Sequence, residues 1–196
     1  MPAIGVILAA GESRRASGPK ALFELDNDTL IERAVGTLLR GGTGEVCVVV
    51  GPPHAEAIRA QVTGVTWIDN PDPKRGMFSS VQVAAQYALS LPNCSGIVLS
   101  LLDHPRVQPS SVRALLEAET KSADAARPMH EGQHGHPIYL SRRALKGIAK
   151  ASVDERLSNL IRELPALVDV EVDDPGVLDD LDTAIELLQV GAKLPD

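Results

Sequence analysis

Residues 3–20 read AIGVILAAGESRRASGPK, an apolar run that opens into a polar loop with two glycines and three basic residues. The unbroken apolar stretch at 3–10 is typical of a parallel strand that is buried on both faces. The loop at 11–19 follows the carboxyl end of that strand, which is where open α/β sheets bind their ligands. This stretch therefore predicts an α/β fold with a ligand site directly after the first strand.

The rest of the chain continues the alternation of strands and helices. We expect further strands at 45–50, 65–68, 96–102, 123–127, 137–140 and 167–172. We expect helices at 29–39, 54–62, 79–91, 109–120, 154–163 and 179–190, and a loop at 129–136. This rhythm predicts a Rossmann-like, mostly parallel sheet sandwiched by helices. The sequence contains no repeat or separating linker, so residues 1–196 are predicted to form a single domain.

The composition limits the classes of partner. A formal net charge of -7 argues against nucleic acid, because phosphate backbones are bound through Lys and Arg. No apolar run approaches the roughly 20 residues that span a bilayer, so no membrane partner is expected. Cys47 and Cys94 make no disulfide framework. They suit a reducing compartment and predict a cytoplasmic protein.

The loop after the first strand has the residues of an anion site. Gly11 and Gly18 allow tight turns that aim N–H groups at one point. Arg15 and Lys20 add two full positive charges to the same loop. The small residues 9–11 leave room for a base or sugar against the backbone. The loop therefore suits a triphosphate, and the alternative is a solvated loop whose glycines are only turns.

Asp103 follows the predicted strand at 96–102. The carboxyl ends of parallel strands meet at one edge of a sheet, so this carboxylate is expected near the glycine loop. Carboxylate oxygens are preferred ligands of Mg²⁺, and Asp103 is placed to hold one. The alternative is an Asp turn that precedes a helix.

Three histidines crowd one later loop: His130, His134 and His136. Imidazoles are good zinc ligands, but the cysteines are far off in sequence, and only His130 and His134 have the i, i+4 spacing of a zinc-binding pair. The other possibilities are that His136 contacts a substrate or shapes the loop through a hydrogen bond.

Five segments, in order, resemble signatures of the MobA/MocA-like nucleotidyltransferases, which attach a nucleotide to the molybdenum cofactor. The first is L-A-A-G-x-S-x-R followed by Pro19-Lys20. The others are Gly76-Met77-Phe78-Ser79-Ser80, Leu102-Asp103-His104-Pro105, Gly132-Gln133-His134-Gly135-His136-Pro137 and Leu181-Asp182-Thr183. The chain departs from the family at Ala16-Ser17, where Met-Gly is usual, and at Val153-Asp154-Glu155-Arg156, where the family has G-D-x-G-A-R.

The resemblance implies a role for each matched position. The implied nucleotide-binding residues are Leu8, Ala9, Ala10, Gly11, Arg15, Lys20, Gly76 and Ser80. The implied metal ligands for Mg²⁺ are Asp103 and Asp182, and Arg15 and Lys20 act with Asp103 in catalysis. Gly135 and His136 are implied on the acceptor side.

The implied reaction transfers a nucleoside monophosphate from an NTP to the phosphate of an acceptor and releases pyrophosphate. The Ala9-Ala10 form resembles the cytidylyl branch, so CTP is the expected nucleotide. The expected acceptor is the molybdenum cofactor, with a molybdoenzyme as a candidate recipient of the product. Two alternatives stay open: another phosphorylated small molecule such as a sugar phosphate, or a non-catalytic chaperone that binds nucleotide or pterin.

Overall fold

The computed structural model describes residues 2–16, 18–119, 122–152 and 154–195. Its strands are β1 Ile4–Leu8, β2 Glu24–Leu25, β3 Asp28–Thr29, β4 Val46–Val50, β5 Thr66–Asp69, β6 Gly96–Leu101, β7 Ala125–His130, β8 Gln133–His134, β9 Ile138–Ser141 and β10 Leu167–Glu171. Its helices are α1 Leu30–Gly41, α2 Ala55–Arg59, α3 Met77–Ser90, α4 Pro109–Glu119, α5 Arg142–Ile148, α6 Leu157–Arg162 and α7 Ala184–Gln189. Short 3-10 turns cover Arg14–Ala16, Lys20–Leu22, Pro73–Arg75 and Pro175–Leu178.

The main sheet is mostly parallel, as predicted. Its strand order is β10-β7-β9-β6-β1-β4-β5, and β8 pairs with β7 at one side. β1 pairs in parallel with both β4 and β6, and Leu8 lies opposite Leu101. The loop after β1 and the residues after β6 therefore leave the sheet at the same edge, which brings the glycine loop close to Asp103.

Helices cover both faces of this sheet. Ile7 of β1 packs in a buried cluster with Leu38 of α1 and Leu115 of α4. Its neighbour Val6 points the other way and packs with Val81 of α3. Side chains alternate between the two faces of a strand, so an apolar run is needed where both faces are covered. Burial of each large aliphatic side chain contributes about 1.5–3 kcal/mol.

The chain after α4 differs most from the sequence-based expectation. The predicted loop at 129–136 is largely a hairpin, in which β7 runs through His130 and pairs with β8. β9 is antiparallel to both β6 and β7, and α5 follows it directly. α5 was not predicted; Ser141 caps it by accepting a hydrogen bond from the Ala144 N–H.

Several helix boundaries also differ from the predicted ones. The predicted helix at 179–190 is shorter, because a capping box between Thr183 and Glu186 starts α7 at Ala184. α3 begins two residues earlier than predicted, and α6 begins at Leu157 instead of 154. Thr120, the last residue of the predicted helix at 109–120, lies outside the described residues. Among the residues that are described, no helix is long and apolar enough to cross a membrane.

Candidate active site

A cavity of about 450 Å³ lies at the carboxyl ends of β1 and β6. Every residue that the sequence predicted for nucleotide or metal binding lines it. These residues are Leu8, Ala9, Ala10, Gly11, Arg15, Lys20, Gly76, Ser80, Asp103 and Asp182. The α/β topology thus gathers four separate sequence segments into one site.

The loop after β1 is held in shape by its own hydrogen bonds. Ser13 Oγ accepts a hydrogen bond from the Lys20 N–H at 3.1 Å, which closes the loop between them. Ser13 has a left-handed backbone with φ 50°, whereas tight turns were predicted at Gly11 and Gly18. A Cβ atom at Gly11 would meet no atom within 4 Å, so this glycine leaves open space where a ligand can lie against the backbone.

Three carboxylates meet at the edge of the cavity. Asp103, Asp180 and Asp182 each offer an oxygen, and these oxygens lie within 4.8 Å of one another. The Leu181 N–H donates to the Asp103 carbonyl oxygen at 3.0 Å, which ties the C-terminal segment to the end of β6. Sequence reasoning found Asp103 and Asp182 but missed Asp180, although the run Asp179-Asp180-Leu181-Asp182 was a visible signal. A cluster of carboxylate oxygens suits a hard divalent cation.

The carboxylate of Asp182 pairs with two cations of the loop after β1. Arg15 Nη1 lies 2.8 Å from Asp182 Oδ2, and Lys20 Nζ lies 3.2 Å from Asp182 Oδ1. The Lys20 side chain is only 11% exposed, whereas that of Arg15 is 71% exposed. Lys20 is therefore held inside the site, while Arg15 reaches it from the rim.

A chain of polar side chains leads from Asp103 away from the nucleotide side. His104 Nδ1 lies 2.7 Å from Asp103 Oδ1. Burial alone would raise the pKa of the Asp103 carboxyl, but the hydrogen bond and charge of His104, with the charge of Lys20, bring the pKa below its usual value. Asp103 is therefore ionised at neutral pH, as a metal ligand must be.

His136 continues this chain. Its ring meets that of His104 edge to face, with centroids 4.8 Å apart. Burial and the nearby His104 lower the pKa of His136 to about 4, so the ring is neutral at pH 7. Its Nδ1 is buried and has no hydrogen-bond partner among the described residues.

A second cavity, of about 490 Å³, adjoins the first. Gly76 and Met77 line both cavities, and His136 lines the second. α3 begins at Met77 without a side-chain cap, so the positive end of its dipole adds favourable potential for an anion at this boundary. Gly76, which was predicted on the nucleotide side, thus lies at the boundary of the two cavities, and His136, which was predicted on the acceptor side, lines the second.

Gly135 packs tightly against a neighbouring segment. It is not among the described residues that line either cavity. Its backbone lies so close to Val177 that an added Cβ would collide with the Val177 carbonyl oxygen. The His136 N–H donates to that same carbonyl oxygen at 2.9 Å. In this structure, close packing at Gly135 lets the chain place His136.

The three histidine rings have separate partners in the described part of the chain. His134 Nε2 lies 3.2 Å from Asp169 Oδ2, and His130 Nδ1 lies 3.0 Å from the Val172 carbonyl oxygen. His136 instead contacts His104. The three histidines are close in sequence because they lie on the β7–β8 hairpin or just after it. Their side chains do not converge on one site in the described structure.

Solved structures share the fold of this chain. The crystal structure of Rv0371c from Mycobacterium tuberculosis H37Rv is similar to this chain with a TM-score of 0.82 and 26% identity, over 97% of this chain and 98% of that one. A structure of the same protein complexed with manganese has a TM-score of 0.78 at 23% identity, with the same coverage.

Relatives and a family model identify the family. The nicotine blue oxidoreductase of Paenarthrobacter nicotinovorans is 32% identical over 95% of each chain. A probable molybdenum cofactor guanylyltransferase of Pelotomaculum thermopropionicum is 30% identical over 71% of this chain and 62% of its own. The model of the MobA-like NTP transferase domain matches residues 5–169. The chain therefore belongs to the MobA-like NTP transferase domain family.

Proposed function

We propose that this protein transfers a cytidylyl group from CTP to the phosphate of the molybdenum cofactor and releases pyrophosphate. The observation that carries the proposal is the meeting of Arg15 and Lys20 with two carboxylates, Asp103 and Asp182, in one cavity at the carboxyl edge of the sheet, where Asp180 adds a third carboxylate to the cluster. Cations bind a triphosphate, and carboxylates bind the divalent ion that accompanies it. Family membership supports nucleotidyl transfer as the class of reaction.

In the proposed reaction, an oxygen of the acceptor phosphate attacks the α-phosphorus of CTP. The new O–P bond forms as the bond from the α-phosphorus to the bridging oxygen of the β-phosphate breaks, and pyrophosphate leaves. An ionised phosphate is already a nucleophile, so the protein needs no strong general base. Lys20 and Arg15 neutralise the negative charge that develops on the phosphate oxygens, and removal of one such group typically costs about 2.7–4 kcal/mol.

We assign Mg²⁺ to the cluster of Asp103, Asp180 and Asp182. The donor set fits, because all three ligands are carboxylates whose oxygens lie within 4.8 Å of one another. A divalent cation bound there supplies charge neutralisation on the phosphate oxygens. The manganese complex of the mycobacterial protein supports a divalent ion at this type of fold.

The preference for CTP rests on Ala9 and Ala10. Both residues line the nucleotide cavity and both are buried, at 5% and 2% exposure. The relative from Pelotomaculum is named for guanylyl transfer, so the base must be tested directly. Rates with CTP, GTP, ATP and UTP, each with Mg²⁺ and molybdenum cofactor, decide it. A GTP preference would place the protein in the guanylyl branch.

The acceptor is tested in the same assay. Pyrophosphate release and the mass of the product are measured with molybdenum cofactor and, separately, with a panel of sugar phosphates. Pyrophosphate release with molybdenum cofactor, and with none of the sugar phosphates, supports the proposal. A downstream molybdoenzyme is then the expected recipient of the product. Turnover with a sugar phosphate would reassign the acceptor. Tight binding of CTP without release under any condition would favour a chaperone.

A second candidate function is suggested by one relative. The protein that matches over 95% of both chains is named an oxidoreductase. An oxidoreductase needs an electron donor and an electron acceptor, and it would not depend on the carboxylates of Asp103, Asp180 and Asp182. Reduction of a redox dye by a supplied reductant, unaffected by Asp103→Asn, would favour this function over nucleotidyl transfer.

A further inference from the structure

His104 occupies the middle position of the segment Asp103-His104-Pro105. It is not among the described residues that line the nucleotide cavity or the second cavity. Its side chain is only 9% exposed and contacts the Asp103 carboxylate, which does line the nucleotide cavity. A role of His104 in the reaction must therefore act through Asp103.

The contact between these two side chains has a defined donor. His104 Nδ1 lies 2.7 Å from Asp103 Oδ1, a distance typical of a charge-assisted hydrogen bond. A carboxylate that binds a cation is ionised, and an ionised carboxylate only accepts hydrogen bonds. Nδ1 therefore carries the hydrogen and donates to Oδ1, which leaves Oδ2 of Asp103 available for a cation.

Packing holds the His104 ring in this orientation. On one side, the ring of His136 meets it edge to face. Next to it is a space of only about 10 Å³, which Leu30 and Ala34 of α1 also line and which has room for at most one water. The ring has no room to swing away from Asp103, so the donor stays in place.

The backbone around His104 is also tied to its surroundings. Arg33 of α1 donates from Nε to the Pro105 carbonyl oxygen at 3.3 Å. Thr37 of the same helix donates from Oγ1 to the Val107 carbonyl oxygen at 3.5 Å. These bonds fix the turn between β6 and α4, so the imidazole and the carboxylate keep their relative position.

The carboxylate cluster gives this restraint a purpose. Oxygens of Asp103, Asp180 and Asp182 lie within 4.8 Å of one another, and like charges at this distance repel until a cation is bound. Asp182 is held by its ion pairs with the loop after β1. Asp103 is held by His104, so its carboxylate does not turn away from the other two before the cation arrives.

We propose that His104 is a positioning residue, whose hydrogen bond aims the Asp103 carboxylate at the divalent cation and so raises the affinity of the site for metal. Hydrogen-bonded partners of metal ligands typically contribute about 10- to 100-fold to metal affinity. The inference rests on the metal assignment in the proposed function and deepens it. His104 should therefore act on metal binding and leave the reaction of the metal-saturated protein nearly unchanged.

The test measures Mn²⁺ binding to the full chain without nucleotide, by electron paramagnetic resonance of the free ion. His104→Leu removes the donor and should weaken Mn²⁺ at least about tenfold. His104→Asn offers an Nδ2–H near the place of Nδ1, so its affinity should stay within about threefold of the parent. If His104→Leu melts well below the parent, His104→Met replaces it, because methionine also lacks the donor and adapts to irregular packing.

His134→Leu is the matched control. His134 also pairs with an aspartate, Asp169, at 3.2 Å, but neither residue lines the nucleotide cavity. Its Mn²⁺ affinity should equal that of the parent. Asp103→Asn is the reference for loss of the ligand itself.

The dependence of turnover on Mg²⁺ separates positioning from direct contact with substrate. In His104→Leu, the Mg²⁺ concentration for half-maximal rate should rise at least about tenfold, while the rate at saturating Mg²⁺ stays within about threefold of the parent. A lower saturated rate with an unchanged half-saturation concentration would contradict the proposal, because His104 would then act on the substrate.

The outcomes distinguish this inference from the proposed reaction. Parent-like Mn²⁺ affinity in His104→Leu, or an equal loss in His104→Asn, rejects the inference alone when Asp103→Asn has lost the ion. No Mn²⁺ binding to the parent, or parent-like binding in Asp103→Asn, rejects the metal assignment and this inference with it. The expected Mn²⁺ losses in a protein that releases no pyrophosphate from CTP would support the inference and reject the proposed reaction.

Discussion

Lys20 Nζ donates to Asp182 Oδ1 at 3.2 Å, across 162 positions of the chain. Arg15 contacts the other oxygen of the same carboxylate at 2.8 Å. In this structure, the Asp182 carboxylate thus pairs with both cations that we assign to the triphosphate. Binding of nucleotide and metal must exchange these partners, so that the phosphates take the cations and the divalent ion takes Asp182.

This exchange predicts that Asp182→Asn has opposite effects on two measurements. Without metal, CTP affinity should rise, by up to about fivefold, because a partly exposed ion pair worth at most about 1 kcal/mol no longer competes. With Mg²⁺, pyrophosphate release should fall at least tenfold, because a metal ligand is lost. Titration calorimetry in EDTA and a pyrophosphate assay measure the two effects.

Asp180→Asn is the matched control for that variant. Asp180 belongs to the carboxylate cluster but has no ion pair with Arg15 or Lys20 in the described structure. It should lower turnover with Mg²⁺ and leave metal-free CTP affinity unchanged. An equal rise in CTP affinity in both variants would mean that the total negative charge of the cluster, not the ion pair, sets the affinity.

Lys20→Ala tests the phosphate loop. Its ammonium group is held inside the nucleotide cavity, so removal should lower CTP affinity or turnover at least tenfold while the fold stays intact. The melting temperature and the CTP dissociation constant are measured together, with Lys74→Ala as a surface control. Parent-like affinity and rate would refute the assignment of Lys20.

Burial of the His136 ring should make the free energy of unfolding depend on pH. Its pKa in the folded state is lowered to about 4, mainly by burial and also by His104, while Asp103 opposes the shift. The unfolded chain therefore binds a proton at this residue before the folded chain does. As the pH falls from about 6.5 towards about 4, the free energy of unfolding should drop by up to about 1.4 kcal/mol per pH unit.

The measurement compares urea unfolding of the parent and His136→Gln from pH 7.5 to 4. Because glutamine does not titrate, the free energy of unfolding should fall more for the parent than for the variant as the pH falls. A difference that stays constant over this range would show that burial of His136 does not hold its ring neutral.

Gly135→Ala separates a packing role from direct contact with an acceptor. The added Cβ would collide with the Val177 carbonyl oxygen, and overpacking of this kind costs about 1–3 kcal/mol. Gly147→Ala is the control, because a Cβ there meets nothing within 4 Å and α5 should gain from a better helix former. Thermal melting distinguishes them: Gly135→Ala should melt lower and Gly147→Ala no lower than the parent. Unchanged melting of Gly135→Ala would mean that the backbone near Val177 yields easily.

How far the sequence predicts this site depends on how local each signal is. The strand and loop at residues 3–20 and the strand before Asp103 have local patterns, and parallel pairing brings their ends together. Asp182 could be found only through the family resemblance, and Asp180 was missed. Both carboxylates lie beside Asp103 in the segment that the Leu181 N–H ties to the Asp103 carbonyl oxygen. No periodicity in the sequence reveals such a contact between distant segments.

The acceptor side was harder to predict for the same reason. An antiparallel β9 and the β7–β8 hairpin set the position of His136, and strand direction is not encoded in side-chain alternation.

Asp103→Asn tests the central claim most directly, because it keeps the size of the side chain and removes the charge of the carboxylate nearest the end of β6. Pyrophosphate release is measured with CTP, Mg²⁺ and molybdenum cofactor, alongside the melting temperature. We predict a loss of about a hundredfold or more in rate, typical of a lost charge-stabilising group, with the melting temperature close to that of the parent. Turnover of the variant at the parent rate would contradict the metal assignment and the account of catalysis built on it.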